Sequence, residues 1–341
     1  MPPLHDFRSD TVTRPGKAMK AAMVAADLGD AVYDDCPTTK RLEAMASERL
    51  GKEAGLFFPT GTQSNLAGLM AHCGRGDEYI VGQQAHTYVN EAGGAAVLGS
   101  IQPQPLPNEA DGTIALDAIR AAIKPDDFHF ARSRLLALEN TFNGRVLPAA
   151  YVAEATALAR QHGLATHLDG ARLFNAAVAS QTDPADLAAP FDSLSICLSK
   201  GLGAPIGSLL LGSRDLIERA RRLRKMLGGG MRQTGVLAAA AIHALDHHVA
   251  RLADDHDRAA RLAEGLRAFP RLGVREAQTN MVFMSPQGVD TAALLAFLAE
   301  RGIAVSGRYG TLRWVTHLDI GDAGITAAID ACADFLQQKA A

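Results

Sequence analysis

At 341 residues the chain is long enough for one large domain or two, and 48% apolar against 21% charged residues excludes a disordered chain. A formal net charge of −3 with no basic block excludes nucleic acid and anionic membrane surfaces as partners. No apolar run reaches the roughly 18 residues that span a bilayer.

Cys36, Cys73, Cys197 and Cys332 lie far apart with no metal-ligand pair, and the first ten residues lack the apolar core of a signal peptide. These features lead us to expect a reduced, cytoplasmic protein without a bound metal.

Residues 4–16 are polar and turn-rich, which predicts an arm rather than a core element. An alanine-rich helix follows over 17–27, and an amphipathic helix over 39–50 carries Leu42, Met45, Ala46 and Leu50 on one face. The pattern next predicts a strand over 54–59, a helix from Gly61 to His72, a strand over 79–81 and a helix starting at His86. Residues 100–112 read as a polar, proline-rich connection.

A regular alternation comes next, with helices over 116–123 and 151–162 and from 173, and strands over 135–138, 164–168, 193–198 and 208–211. Short apolar strands between helices predict an α/β fold with a mostly parallel sheet covered on both faces. An arginine-rich helix over 215–225 ends at GGGMRQ, and 236–269 is expected to be mostly helical. Strand, helix, two strands and a final helix then predict a smaller α+β unit. The boundary is expected near 246–257, giving an arm and large domain (1–250) and a small C-terminal domain (251–341).

Lys200 follows the apolar strand over 193–198 and precedes a run of glycines. A lysine there either snorkels to the surface or, if buried, loses affinity for its proton and becomes a nucleophilic amine suited to Schiff-base formation. Asp169 ends the strand in LATHLDGARLF, where it either caps the next helix or presents a carboxylate at the ligand-binding edge of an open sheet. Lys200 and Asp169 at neighbouring strand ends suit pyridoxal 5'-phosphate, the lysine for the aldehyde and the aspartate for the ring nitrogen. Gly61 and Thr62, at a turn opening a helix, offer donors to a phosphate, and Ser199 another. His86 offers a ring to stack on the cofactor. His243, His247, His248 and His256 alternate with acids on a polar helix face and are expected to be solvated.

The segments FRSDTVTRPG, FPTGTQSNL, EYIVGQQAH, ALENTFNGRVLP, HLDGARLFNA, CLSKGLGAPIGSLL, RKMLGGGMRQTG and WVTHLD together resemble the low-specificity L-threonine aldolases, in matching order over most of the chain. The resemblance implies the aspartate-aminotransferase-like fold (fold type I) of pyridoxal phosphate enzymes, with a seven-stranded-type sheet. The implied reaction is cleavage of L-threonine or L-allo-threonine to glycine and acetaldehyde. It implies Lys200 as the Schiff-base lysine, Asp169 at the ring nitrogen, His86 as the stacking ring, and Gly61, Thr62 and Arg232 at the phosphate. Arg172 is implied near the ring hydroxyl and the substrate carboxylate, Ser9 and Arg313 at that carboxylate, and Lys225 in a secondary pocket role. His129 matches a position near the β-hydroxyl, and His86 and His129 both stand as candidate bases. A homotetramer, a dimer of dimers with sites at subunit interfaces, is the implied assembly. One position departs from the pattern: Phe142 stands where many relatives carry histidine, so either that imidazole is dispensable or the pocket is more apolar here.

Overall fold

The computed structural model describes residues 4–308 and 310–338. In chain order the elements run β1 (His5–Asp6), α1 (Lys17–Val24), α2 (Pro37–Arg49), β2 (Ala54–Phe58), α3 (Gly61–His72), β3 (Glu78–Gly82), α4 (His86–Val89), α5 (Gly94–Val97) and β4 (Gln102–Leu106). They continue with α6 (Leu116–Ala122), β5 (Ser133–Glu139), α7 (Ala149–Gln161), β6 (Ala165–Gly170), α8 (Leu173–Ser180), α9 (Pro184–Ala188), β7 (Ser193–Cys197), β8 (Ser208–Gly212) and α10 (Arg214–Met226). The last group is α11 (Gly235–His247), α12 (Leu252–Arg267), β9 (Met281–Met284), α13 (Thr291–Glu300), β10 (Ile303–Ala304), β11 (Ser306–Arg308), β12 (Thr311–Val315) and α14 (Asp322–Gln338).

Seven strands form the central sheet in the order β2-β8-β7-β6-β5-β3-β4. Only β8 runs against the rest, pairing antiparallel with both β7 and β2. Every residue of β3, β7 and β8 is buried, as strands covered by helices on both faces must be. Parallel strands share one carboxyl edge, so the segments leaving β2, β3, β5, β6 and β7 all emerge on the same side.

Residues 100–112, expected to be a connection, contain β4, whose Gln102–Leu106 segment pairs with β3 at the sheet edge. Pro103 and Pro105 hid it from a propensity reading. A proline has no N–H to donate, and an edge strand leaves alternate backbone groups unpaired, so the two fit there. The long helix expected over 236–269 breaks between α11 and α12, where His248 Nδ1 hydrogen-bonds the Leu202 carbonyl at 2.7 Å. That bond and the 3.1 Å contact of His256 Nε2 with Asn175 Nδ2 correct the expectation of solvated histidines at these two positions.

The N-terminal arm is also more than a surface segment. β1 pairs parallel with β10, and Phe7 is fully buried with its ring edge-on to Trp314 at 5.4 Å between centroids. Phe7 belongs to a core formed by α12, α13, α14 and the strands β9 and β12, apart from the core beneath the large sheet. Polar neighbours masked this lone apolar anchor, which holds Ser9 and Asp10 over the sheet edge. Phe7→Ala is expected to lower stability by about 3–5 kcal/mol, measured by urea unfolding, and to loosen ligand binding by freeing the arm.

Candidate active site

β5, β6 and β7 end side by side. Glu139 closes β5 and stands in register with Asp169 near the end of β6, while Lys200 follows three residues after Cys197, the last residue of β7. Over these ends opens a cavity of about 730 Å³, lined by Ser9, His86, Arg172, Lys200 and Arg313, with Gln83, Asn143 and Arg308 also on its wall. Three guanidinium groups and one amine in a single cleft favour an anionic ligand.

Asp169 is buried at 3% exposure. Its carboxylate accepts from the Asn65 side-chain amide at 3.0 Å and from the Ala171 N–H at 3.1 Å. It is therefore held in place from two sides. Asn65 lies one turn inside α3, the helix that Gly61 and Thr62 open; neither of these two nor Ser199 is among the residues lining the cavity. Thr60 caps the helix through its side chain, which accepts from the Gln63 N–H.

His86 opens α4, and its own N–H donates to Glu139 Oε2 at 2.7 Å. Its Nδ1 lies 2.9 Å from Glu91 Oε1, and this hydrogen bond raises its pKa despite partial burial. Burial pushes the Glu91 carboxyl up and the Glu139 carboxyl up to about 7. His86, Glu91 and Asp169 present ligand atoms within 4.8 Å of one another. Asn65 Nδ2 donates to both of those carboxylates, which suits a hydrogen-bonded cluster better than a cation.

Arg172 is clamped by Asp10, with contacts of 2.8 and 2.6 Å from its Nε and Nη2. Burial alone would raise the Asp10 pKa; the guanidinium outweighs it and holds the carboxyl at about 2. The pair fixes one edge of the Arg172 fork and leaves the other end for a ligand. Arg313 donates through Nη2 to the Arg8 carbonyl at 3.1 Å, while its buried Nε has no partner among the described residues. Burial and the nearby Arg172 lower the Arg313 pKa, so an incoming carboxylate relieves both the unpaired donor and the charge.

The remaining predicted residues lie elsewhere. Ser199 is adjacent to Lys200 and contacts Cys197 Sγ at 3.4 Å. His129 sits on an exposed loop with Nδ1 at 2.7 Å from Asp127. Arg232 pairs with Asp30 at 3.0 Å on the surface, and Lys225 is exposed near the end of α10. None of His129, Arg232 or Lys225 lines the Lys200 cavity of its own chain. Phe142 is buried, its ring against Gly112, where a Cβ would come within 2.7 Å of it. It faces the core, whereas its neighbour Asn143 faces the cavity.

Asp10, Asn65, Glu91 and Glu139 were not singled out from sequence. Glu139 had the same signal as Asp169, an acid at the end of a buried strand. Glu91 sits five residues beyond His86 with no such marker.

A family model described as beta-eliminating lyase matches residues 6–288. The low specificity L-threonine aldolase of Escherichia coli (strain K12) is 56% identical over 315 residues, covering 92% of this chain and 94% of that protein. Low-specificity L-threonine aldolase 1 of Arabidopsis thaliana is 44% identical over 327 residues, 92% of this chain and 91% of the relative. Among solved structures, the threonine aldolase of Leishmania major superposes with a TM-score of 0.81 at 23% identity, covering 97% of this chain and 99% of that one, a likeness of fold. The sheet order, the strand-end lysine and aspartate, and these matches place the chain in the beta-eliminating lyase family, among the low-specificity L-threonine aldolases with the fold type I architecture of pyridoxal phosphate enzymes.

Proposed function

We propose that this protein cleaves L-threonine and L-allo-threonine to glycine and acetaldehyde, with pyridoxal 5'-phosphate as cofactor. The observation that carries the reading is one cavity lined by Lys200, His86, Arg172 and Arg313 above the buried Asp169 carboxylate. The donor set fits the cofactor: an amine for its aldehyde, a buried acid for its ring nitrogen, and the N-terminus of α3 with Ser199 for its phosphate.

When bound, pyridoxal phosphate supplies an electron sink for the pair left on the substrate Cα. Lys200 Nζ would hold the cofactor through its aldehyde, Asp169 would favour a proton on its ring nitrogen, and the His86 imidazole would offer it a stacking surface. Arg313 and Arg172, with the Ser9 hydroxyl, grip the substrate carboxylate and so decide which bond to Cα is aligned for cleavage. His86 accepts the β-hydroxyl proton at Nε2, because Nδ1 is committed to Glu91. Such a base contributes about 10²–10⁴ in rate.

Arg313→Leu is expected to raise KM for L-threonine about ten- to a hundredfold, the loss of a charge-assisted hydrogen bond, with the cofactor still bound. An unchanged KM would remove Arg313 from the carboxylate site. Incubation with L-threonine tests the reaction itself: acetaldehyde with glycine supports aldol cleavage, while 2-oxobutanoate with ammonia would favour β-elimination.

In this reading the protein works in the cytoplasm in threonine breakdown or glycine supply, which its four free, buried cysteines suit. No described helix is long and apolar enough to cross a membrane. The chain divides into 1–250 and 251–341, each with its own core apart from Phe7 and Leu252, which pack in the core of the other part. The assembly is a homotetramer, a dimer of dimers, in which Arg232, Lys225 and His129 serve a neighbour's site, since they stand outside their own. Light scattering and an activity mixture of Lys200→Ala with Arg232→Ala chains test it; mixed dimers should regain activity that neither variant has alone.

A further inference from the structure

The carboxylate of Asp169 is the active-site end of a longer chain of buried side chains. α3 lays Asn65, Gly68 and His72 against the sheet on one helical face. Beneath them, His167 of β6 and Ser193 of β7 are partners in register, and both are wholly buried. His72 Nε2 lies 2.7 Å from Ser193 Oγ, Ser193 Oγ 2.8 Å from His167 Nδ1, and His167 Nε2 3.4 Å from Asn65 Oδ1. Asn65 Nδ2 then reaches Glu91 Oε1 at 2.9 Å and Asp169 Oδ2 at 3.0 Å.

The donors in this chain are fixed by elimination. Two carboxylates face the Asn65 nitrogen, so both amide hydrogens are spent on them and the amide oxygen faces His167. That oxygen needs a donor, which only an Nε2–H tautomer supplies. His167 Nδ1 is then a bare acceptor, so the Ser193 hydroxyl donates to it and in turn accepts from His72 Nε2–H. Every hydrogen bond points the same way, from His72 toward the two acids. Burial keeps both imidazoles neutral, with pKa values drawn down to about 4 for His72 and about 3 for His167, so each has a single N–H to place. Close approach of α3 at this point depends on Gly68, where a Cβ would lie 2.9 Å from His167 Cε1.

We propose that His167 is a positioning residue: its Nε2–H locks the Asn65 amide in the one orientation that gives hydrogen-bond donors to both Asp169 and Glu91. Without that donor the amide gains nothing from keeping its oxygen toward β6, and a flipped amide would set its oxygen against two carboxylates. The inference rests on the reading of Asp169 as the partner of the cofactor ring nitrogen, and it extends that site to the far end of α3.

Two measurements test it. In the full-length, 15N-histidine-labelled protein loaded with pyridoxal phosphate, His167 is expected as the Nε2–H tautomer throughout the neutral pH range. An Nδ1–H tautomer or an imidazolium overturns the proposal. Affinity for pyridoxal phosphate is then compared in two variants. His167→Leu removes the donor and should weaken binding about ten- to a hundredfold. His167→Gln places an amide nitrogen near the lost Nε2 and should restore binding to within about threefold of the parent, even if both variants lose similar thermal stability. Equal affinities in the two variants, weakened or not, overturn the proposal. If the leucine variant does not fold, Ser193→Ala, which takes away the donor to Nδ1, should mix the tautomers and weaken cofactor binding; a pure Nε2–H signal with unchanged affinity overturns it. A parent protein that binds pyridoxal phosphate but makes no acetaldehyde from L-threonine would sink the functional reading alone, leaving these outcomes to decide the role of His167.

Discussion

Lys200→Ala is expected to abolish aldol cleavage of L-threonine and the covalent, borohydride-fixable attachment of pyridoxal phosphate. The loss should exceed the roughly 10²–10⁴-fold that one proton-transfer group contributes, because the amine both carries the cofactor and releases product. Noncovalent cofactor binding should survive, since Asp169, His86 and the N-terminus of α3 are untouched. Lys200 is half-buried at the cavity wall and belongs to no core cluster, so the variant should fold with a nearly unchanged melting temperature. Mass spectrometry after borohydride, absorbance of the bound cofactor and an acetaldehyde assay check the three claims. Full cleavage activity in the variant would remove Lys200 from the chemistry.

How much of this was readable beforehand depends on how local each signal is. The buried strands β5 to β8 announce themselves as apolar runs, and Lys200 and Asp169 stand out because a charge ending such a run is costly without a purpose. Strand β4 carries two prolines and no apolar alternation, and only its place at the sheet edge makes it a strand. The Asp10–Arg172 pair joins residues 162 positions apart, and the Asn65–Asp169 bond spans 104. Pairings of that kind leave no periodicity in the chain; they exist only once α3 and the arm have docked on the sheet. His167 reads as one more residue in a strand until Ser193 beside it and Asn65 above it fix its proton. The residues that bind were legible as types in odd places, whereas those that orient them were legible only in three dimensions.

Asp169→Asn separates the charge of this residue from its shape. The amide is nearly isosteric and keeps one oxygen, enough for the Asn65 donor now on Oδ2 at 3.0 Å, while its nitrogen replaces Oδ1, the acceptor of the Ala171 N–H at 3.1 Å. It carries no charge, however, and cannot favour a proton on the ring nitrogen. Turnover is therefore expected to fall about 10²–10³-fold, the usual cost of losing a preorganised electrostatic partner of the transition state. The covalent link to Lys200 should persist, since it needs only the amine and the aldehyde. Asp169→Ala should be worse in a second respect. It leaves both the Asn65 and the Ala171 donors without an acceptor, a penalty of about 1–3 kcal/mol for each buried donor, so urea unfolding should show a larger loss in Asp169→Ala than in Asp169→Asn, which keeps one acceptor. Turnover at the parent rate in Asp169→Asn would show that the ring nitrogen is handled without a charged partner. The buried carboxylate would then act through hydrogen bonding alone, holding Asn65 and through it the His167 chain.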